Sequence, residues 1–164
     1  MKKIQLSGHR KGSTIKGYVL VDDDDFEWLN KYKWHCNKYG YAVKTHKKLN
    51  GIRSKLFMHG LLIYRFPSMQ VDHINGNKLD NRKENLRIVT PQQNTWNTKK
   101  SKSNTSGYRG VYWHSQCKKW YSQIRTNKKK TIHLGMFNNK EDAASAYNKA
   151  ALIQRGKFAM LNNI

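Results

Sequence analysis

VDHINGNKLDNRKENLRIVTPQQNTWN, residues 71–97, organises the reading of the chain. Two short apolar patches, Val71–Ile74 and Leu86–Val89, flank a run rich in Asn, Gly and Asp from Asn75 to Asn81. That pattern predicts two strands joined by an irregular loop. Thr90-Pro91 predicts a helix start: Thr90 can cap, Pro91 suits the first helical position, and Gln93 completes a capping box. The order is strand, loop, strand, helix. A helix folding back on the strands would let Asp72, His73 and Asn94 converge.

Those residue types point to one chemistry. A neutral imidazole takes a proton from water near neutral pH. A carboxylate and an amide oxygen are hard ligands for a divalent cation such as Mg²⁺. A second Asn can orient the histidine. These are the parts of a one-metal phosphodiester hydrolase. The string D-H-I-N-G-N-K-L-D-N-R-x-E-N-L-R-x-V-T resembles the HNH (ββα-metal) nuclease motif, especially that of phage intron-encoded homing endonucleases. The resemblance implies that His73 is the general base, Asn85 its orienting partner, and Asp72 with Asn94 the ligands of Mg²⁺ or Mn²⁺. It implies a site-specific, homing-type endonuclease that hydrolyses duplex DNA, nicking one strand per active site. Its setting would be the cytoplasm of the host of a phage or mobile element. Taken singly, His73 is an ordinary strand-end histidine and the Asn-rich loop an ordinary turn. The set of four at this spacing carries the reading.

Composition agrees with a nucleic-acid partner. The 164 residues hold 32 Lys and Arg against 10 Asp and Glu, a net charge of +22. Such self-repulsion makes sense beside a polyanion, here double-stranded DNA. No long apolar run and no signal-peptide pattern point to a membrane, and no protein partner is implied. The two cysteines, Cys36 and Cys117, are far apart and form no CxxC pair, so neither zinc nor a disulfide is expected.

Upstream of the motif, Met1 to Gly17 reads as a basic arm with a strand hint at Ile4 and Leu6. Tyr18–Val21 is a strand. Asp22 to Asp25 begin a helix, where acids favour the positive end of the dipole, and Phe26, Leu29 and Tyr32 follow at helical spacing. Trp34–Lys44 reads as one strand of a hairpin with Gly40 at a bend, Ile52–Met58 as its partner, and Asn50-Gly51 as the turn. Leu56–Phe66 reads as a short buried helix ending before Pro67, with His59 packed inside it. The segment 18–70 weakly resembles the region before the motif in HNH proteins and would buttress the site.

Residues 107–164 form a second module behind a basic linker, 98–106. Tyr108–His114, Lys119–Thr126 and Lys130–Phe137 are three strands with turns at 115–118 and 127–129. Alternation puts Val111, Trp113, Trp120, Ser122, Ile124, Ile132 and Leu134 on one face. Tyr112, His114, Tyr121, Gln123, Arg125, Thr131 and His133 take the other. A helix follows, capped by Asn139 and ended by Gly156, with a stripe of Ala143, Ala144, Tyr147, Ala150 and Ala151 to lie on the apolar face. The runs YRGV, WYSQIR, HLGMF, EDAASAYNKAA and GKFAMLN, in that order, resemble the APETALA/ethylene-response-factor DNA-binding domain. The resemblance implies a sheet in the major groove, with Arg109, Tyr112, His114, Gln123, Arg125, Lys130, Thr131 and His133 at DNA-contacting positions. Several differ from the plant residues, so the plant target sequence does not transfer.

The fold expected is α+β: a ββα-metal nuclease domain over 1–97 (support region 1–70, motif 71–97), then a three-stranded antiparallel sheet packed on one helix. The competing function is a non-cleaving, sequence-specific transcriptional regulator; the intact set of four speaks against it. An RNA-directed protein shares the charge, but the stacking aromatics of an RNA-recognition motif are missing.

Overall fold

A computed structural model describes residues 1–7, 17–47, 51, 53–97, 104–126 and 130–164. The protein is mixed α and β, with small antiparallel sheets and short helices. It divides into two compact units, Met1–Pro91 and Gln92–Ile164. Among the described residues no helix is long and apolar enough to cross a membrane.

In the first unit, β1 (Lys2–Gln5) pairs antiparallel with β2 (Tyr18–Val21). The basic arm therefore begins as a strand, because Ile4 and Leu6 are buried and pull their neighbours into register. Residues 8–16, with Arg10, Lys11 and Lys16, lie outside the described residues. The acidic run opens α1 (Asp23–Asn30), with Asp23, Asp24 and Asp25 in its first turn. Leu29 is fully buried, and its carbonyl accepts the indole N–H of Trp34 at 2.8 Å. Tyr32 falls beyond the helix and is exposed, so the apolar stripe stops at Leu29.

The hairpin starts differently from the sequence expectation. Trp34–Lys44 is not one strand. It splits into β3 (His35–Cys36) and β4 (Ala42–Lys47) around a turn in which Asn37 Oδ1 accepts from the N–H groups of Tyr39 and Tyr41 at 2.9 and 3.0 Å. Gly40, at φ +86°, supplies the backbone such a turn needs. β5 (Arg53–Phe57) pairs with β4, giving the order β3-β4-β5. Asn50 lies outside the described residues.

The apolar run 56–66 is corrected too. Only Met58–Leu62 forms a helix, α2. Met58 is fully buried, whereas Tyr64 and Phe66 stand out in solvent. A helix of five residues has one core-facing stripe and cannot bury the whole run. Then β6 (Gln70–His73) and β7 (Leu86–Val89) pair antiparallel, Asp72 opposite Arg87 and His73 opposite Leu86. The core gathers Ile4, Leu6, Val19, Val21, Leu29, Trp34, Ala42 and Met58.

α3 (Pro91–Trp96) begins where the two units divide. The second unit continues with β8 (Val111–His114), β9 (Lys119–Arg125) and β10 (Thr131–Phe137), ordered β10-β9-β8, and then α4 (Lys140–Arg155). Ala143, Ala144, Tyr147 and Ala151 are buried on α4, with Ala150 only partly so. They pack against Val111, Trp120, Ile124 and Leu134. The alternation breaks once, by a bulge between His133 and Gly135, after which Met136 sits opposite Tyr121. Asn139 occupies the N-cap position, but its side chain donates to the Asp142 carboxylate at 3.3 Å rather than capping the backbone.

One glycine governs this packing. Gly110 has φ +69°, and a Cβ there would strike the Tyr147 ring and lie 2.5 Å from the Gln123 carbonyl oxygen. Gly110→Ala should destabilise the second unit by about 3 kcal/mol, adding left-handed backbone strain to overpacking. Denaturant unfolding of the full chain, followed by tryptophan fluorescence, checks this; an unchanged midpoint would contradict the packing argument.

Candidate active site and nucleic-acid face

His73 ends β6 and is 4% exposed. Its Nε2 lies 3.2 Å from Asn81 Oδ1. The amide oxygen accepts, so Nε2 carries the proton and Nδ1 the basic lone pair. Burial holds the imidazole below the usual histidine range, against the Asn81 hydrogen bond and the Asp72 and Asp80 charges, which favour the proton. His73 is therefore neutral at pH 7, as a base must be.

The partner differs from the one expected. Asn85, assigned to orient the imidazole, instead ties the loop. Its Oδ1 accepts from Asn75 N–H at 3.0 Å, its Nδ2 donates to the Asp80 carbonyl at 2.8 Å, and its own carbonyl accepts from Ile74 N–H at 2.8 Å. Both asparagines are buried, but only Asn81 bonds the ring in the geometry described. The reason is tertiary. Asn81 N–H donates to the Leu20 carbonyl and Leu20 N–H to the Leu79 carbonyl, each at 2.8 Å, which docks the loop along β2. The acids of α1 grip it further: Asp22 Oδ2 accepts from Lys83 N–H at 2.7 Å, and Asp25 pairs with Lys83 Nζ at 2.7 Å. Inside the loop Arg82 chelates Asp80 at 2.8 Å to each oxygen and holds its carboxyl below the usual range.

Asn85→Ala should thus act through stability. It removes two side-chain hydrogen bonds, one buried and one part-buried, a loss of about 2 kcal/mol. Thermal melts of the variant check this; an unchanged Tm would contradict it.

Two further rings crowd His73. His59, on α2, has its ring centroid 5.2 Å from that of His73 at 90°, and Tyr41 lies 5.9 Å away. His59 also touches Tyr41 and Phe57 at 5.3 and 5.4 Å. Burial first, then the His73 and Arg65 charges, pushes its pKa down to about 4. Both imidazoles are neutral when folded but protonate in the unfolded chain below about pH 6.5. The unfolded state then binds more protons. Stability should be level above about pH 6.5 and fall from there towards about pH 4, by up to about 3 kcal/mol for His59. The Asp80–Arg82 contribution is lost only below the ordinary carboxylate value. Denaturant titrations at about pH 7.5 and about pH 4.5 test the slope. His59→Gln should flatten it; an equally steep slope would refute the assignment.

Asp72 is buried, its Oδ2 held by Arg87 Nε at 3.0 Å and Nη2 at 2.9 Å. Asn94 sits half-buried on α3, in the second unit. Among the described residues no three His, Cys, Asp or Glu side chains form a metal cluster. A carboxylate such as that of Asp72 is by its chemistry a hard oxygen donor, the kind a divalent cation that keeps most of its water takes.

In the second unit, pairing places Thr131 opposite Arg125, His133 opposite Gln123, and His114 opposite Lys119 on the sheet face away from α4. Tyr112 pairs with Tyr121 there, and Tyr121 is the centre of a ladder not singled out from the sequence. Its ring stacks on Tyr112 at 5.3 Å and His133 at 5.8 Å and meets His114 edge-on at 6.2 Å. Arg109 lies ahead of β8, its N–H donating to Asn162 Oδ1 at 2.7 Å. Lys130 precedes β10 and is exposed. Lys128 and Lys129 fall outside the described residues.

Comparison with known proteins bears on the first unit most directly. The HNH endonuclease family matches residues 65–95. An uncharacterized HNH endonuclease of Acanthamoeba polyphaga mimivirus is 35% identical over 161 residues, covering 97% of this chain and 80% of that protein. Protein 3.8 of Escherichia phage T7 is 43% identical over 54 residues, 33% of this chain and 45% of its own. The AP2-like ethylene-responsive transcription factor CRL5 of Oryza sativa subsp. japonica is 29% identical over 150 residues, 82% of this chain but 23% of that protein. With a family match that includes Asp72, His73, Asn85 and Asn94 and a viral relative aligned along almost all of this chain, the chain belongs to the HNH endonuclease family, a family of nucleases.

Proposed function

We propose that the protein is a site-specific, homing-type endonuclease that nicks duplex DNA inside the host cell of a virus or mobile element. The observation that carries this reading is His73: a buried, neutral imidazole with Nε2 committed to Asn81, beside a carboxylate, in a chain of net charge +22. Nδ1 takes a proton from water as the water oxygen bonds to phosphorus. The bond to the 3′-oxygen breaks, and that oxygen leaves with the electron pair and is protonated by solvent. Asp72 and Asn94 would hold Mg²⁺ or Mn²⁺, which supplies positive charge to the phosphate and the leaving oxygen. Arg87 holds the Asp72 carboxylate in place through two contacts to Oδ2. Residues 1–97 form the nuclease domain, 98–106 the linker and 107–164 an APETALA-like domain reading DNA through Tyr112, His114, Gln123, Arg125, Thr131 and His133, with Arg109 and Lys130 at its margin.

Supercoiled plasmid carrying a selected target, incubated with and without Mg²⁺, tests the reading. Open circles should form only with the metal. The likeness to the plant transcription factors favours the second reading, a non-cleaving regulator. Tight, specific binding with no nicking in Mg²⁺ or Mn²⁺ would establish it instead.

A further inference from the structure

We propose that Tyr64 and Phe66 form an aromatic wedge that enters the base stack of duplex DNA beside the scissile phosphate. The inference rests on the DNA-endonuclease reading and adds how the duplex is brought to the buried base.

Tyr64 is 83% exposed and Phe66 67%, and their rings meet edge-to-face at 6.2 Å. Large rings held out this far are unusual on a soluble surface and mark a contact with something else. The loop that carries them is built. Met69 N–H donates to the Phe66 carbonyl at 2.9 Å, and Arg65 Nη1 donates to the Met69 carbonyl at 2.9 Å. The backbone between the two rings and β6 is therefore closed on itself, with the Arg65 guanidinium fastened to it.

Both ends of the loop are fastened at the catalytic site. Upstream, Ile63 N–H donates to the His59 carbonyl at 3.3 Å, and the His59 ring rests on that of His73 at 5.2 Å. Downstream, the chain enters β6, whose last two residues are Asp72 and His73. Tyr64 is five residues from His59 and Phe66 seven from His73. Full extension limits these separations to about 17 and about 23 Å. At about 3.4 Å per base step, the wedge acts within about seven base pairs of the cut.

The charge around it selects the occupant. Between Trp28 and Val71 there is no Asp or Glu, while nine Lys and Arg occur. Half of the chain's ten acids are confined to Asp22–Glu27, where two of them grip the active-site loop. Aromatic rings on an acid-free, basic stretch of chain suit nucleic acid: rings stack against bases and cations meet phosphates. There is also a need for distortion. His73 is 4% exposed, so a phosphate of a straight duplex has little access to it. Unstacking one step bends the duplex and swings its backbone inward.

The test uses the full chain carrying His73→Ala, which binds without cutting, and a target duplex with 2-aminopurine placed singly at each position within about seven base pairs of the mapped cut. One or two adjacent positions should brighten several-fold on binding. The brightening should vanish in Tyr64→Ala/Phe66→Ala. In the His73 background, that double variant should nick at least about tenfold more slowly than wild type, with an unchanged melt because the rings are exposed. A mismatch at the responsive step should restore its rate, since the step is then already loosened. Tyr64→Phe should behave as wild type. A silent duplex, or a double variant that unstacks and nicks normally, overturns the wedge while leaving the nuclease reading intact. Loss of a dimer in the double variant, by sedimentation, assigns the patch to a second copy and also overturns it. Wild-type protein that neither binds nor nicks duplex DNA overturns the nuclease reading itself.

Discussion

Replacing His73 with alanine is expected to slow nicking by about 10²–10⁴ while leaving duplex affinity nearly unchanged. In the proposed mechanism the imidazole is a base and not an anchor. It is 4% exposed and its Nε2 is occupied by Asn81, so it offers a bound phosphate no donor that binding would miss. Asn81→Ala probes the same proton from the other side. Without the amide oxygen the tautomer loses that anchor, and kcat should fall while KM holds. Single-turnover nicking alongside anisotropy of a fluorescent target separates chemistry from binding. An alanine variant that nicks like wild type would end the mechanism. One that loses binding in proportion would recast His73 as a structural residue.

Why the amide on the ring is Asn81 shows where sequence reading stops. The loop has several asparagines at plausible spacing, and local pattern cannot rank them. The choice is made by Leu20, far upstream, whose carbonyl takes the Asn81 N–H and so turns that side chain inward. The acids of α1 show the same limit. Their place at a helix start is local physics and was legible, but their hold on Lys83 is a contact between residues about sixty apart. The two strands of the motif were legible almost to the residue, because a buried strand declares itself by apolar residues between turn formers. The alternation of the C-terminal sheet was legible as far as His133, until a bulge interrupts it at Leu134, but Trp113 and Ile132, expected under the helix, are left 48% and 41% exposed on the two outer strands. The run from Leu56 to Phe66 was not. Hydropathy marks Tyr64 and Phe66 as apolar and says nothing about whether the protein or a partner covers them.

Separating the two proposed DNA-binding modules should produce the other large effect. A fragment of residues 1–100 retains His73, Asp72, Asn85 and Asn94. It is expected to nick in Mg²⁺ with affinity lower by about 10²–10⁴ and with less discrimination. The argument is effective concentration. Once one module is bound, a short linker keeps the other at a high local concentration over its site, and deleting residues 107–164 removes that gain without touching the chemistry. The 107–164 fragment has its own core, built from Val111, Ile124, Ala143, Ala144, Tyr147 and Ala151, and should bind duplex DNA without cutting it. Its affinity should fall steeply with salt, each phosphate contact adding about 0.9 to the slope of log affinity against log salt. Arg125→Ala should broaden the preferred sequence, because a sheet-face guanidinium can bind the O6 and N7 edge of guanine bidentately, whereas losing a phosphate-bound lysine weakens all sequences alike. Footprints of the intact protein should show two protected patches, one over the cut and one displaced to a single side. A single patch at the cut, unchanged by deletion of residues 107–164, would remove the second module from DNA recognition and leave its open face to some other partner.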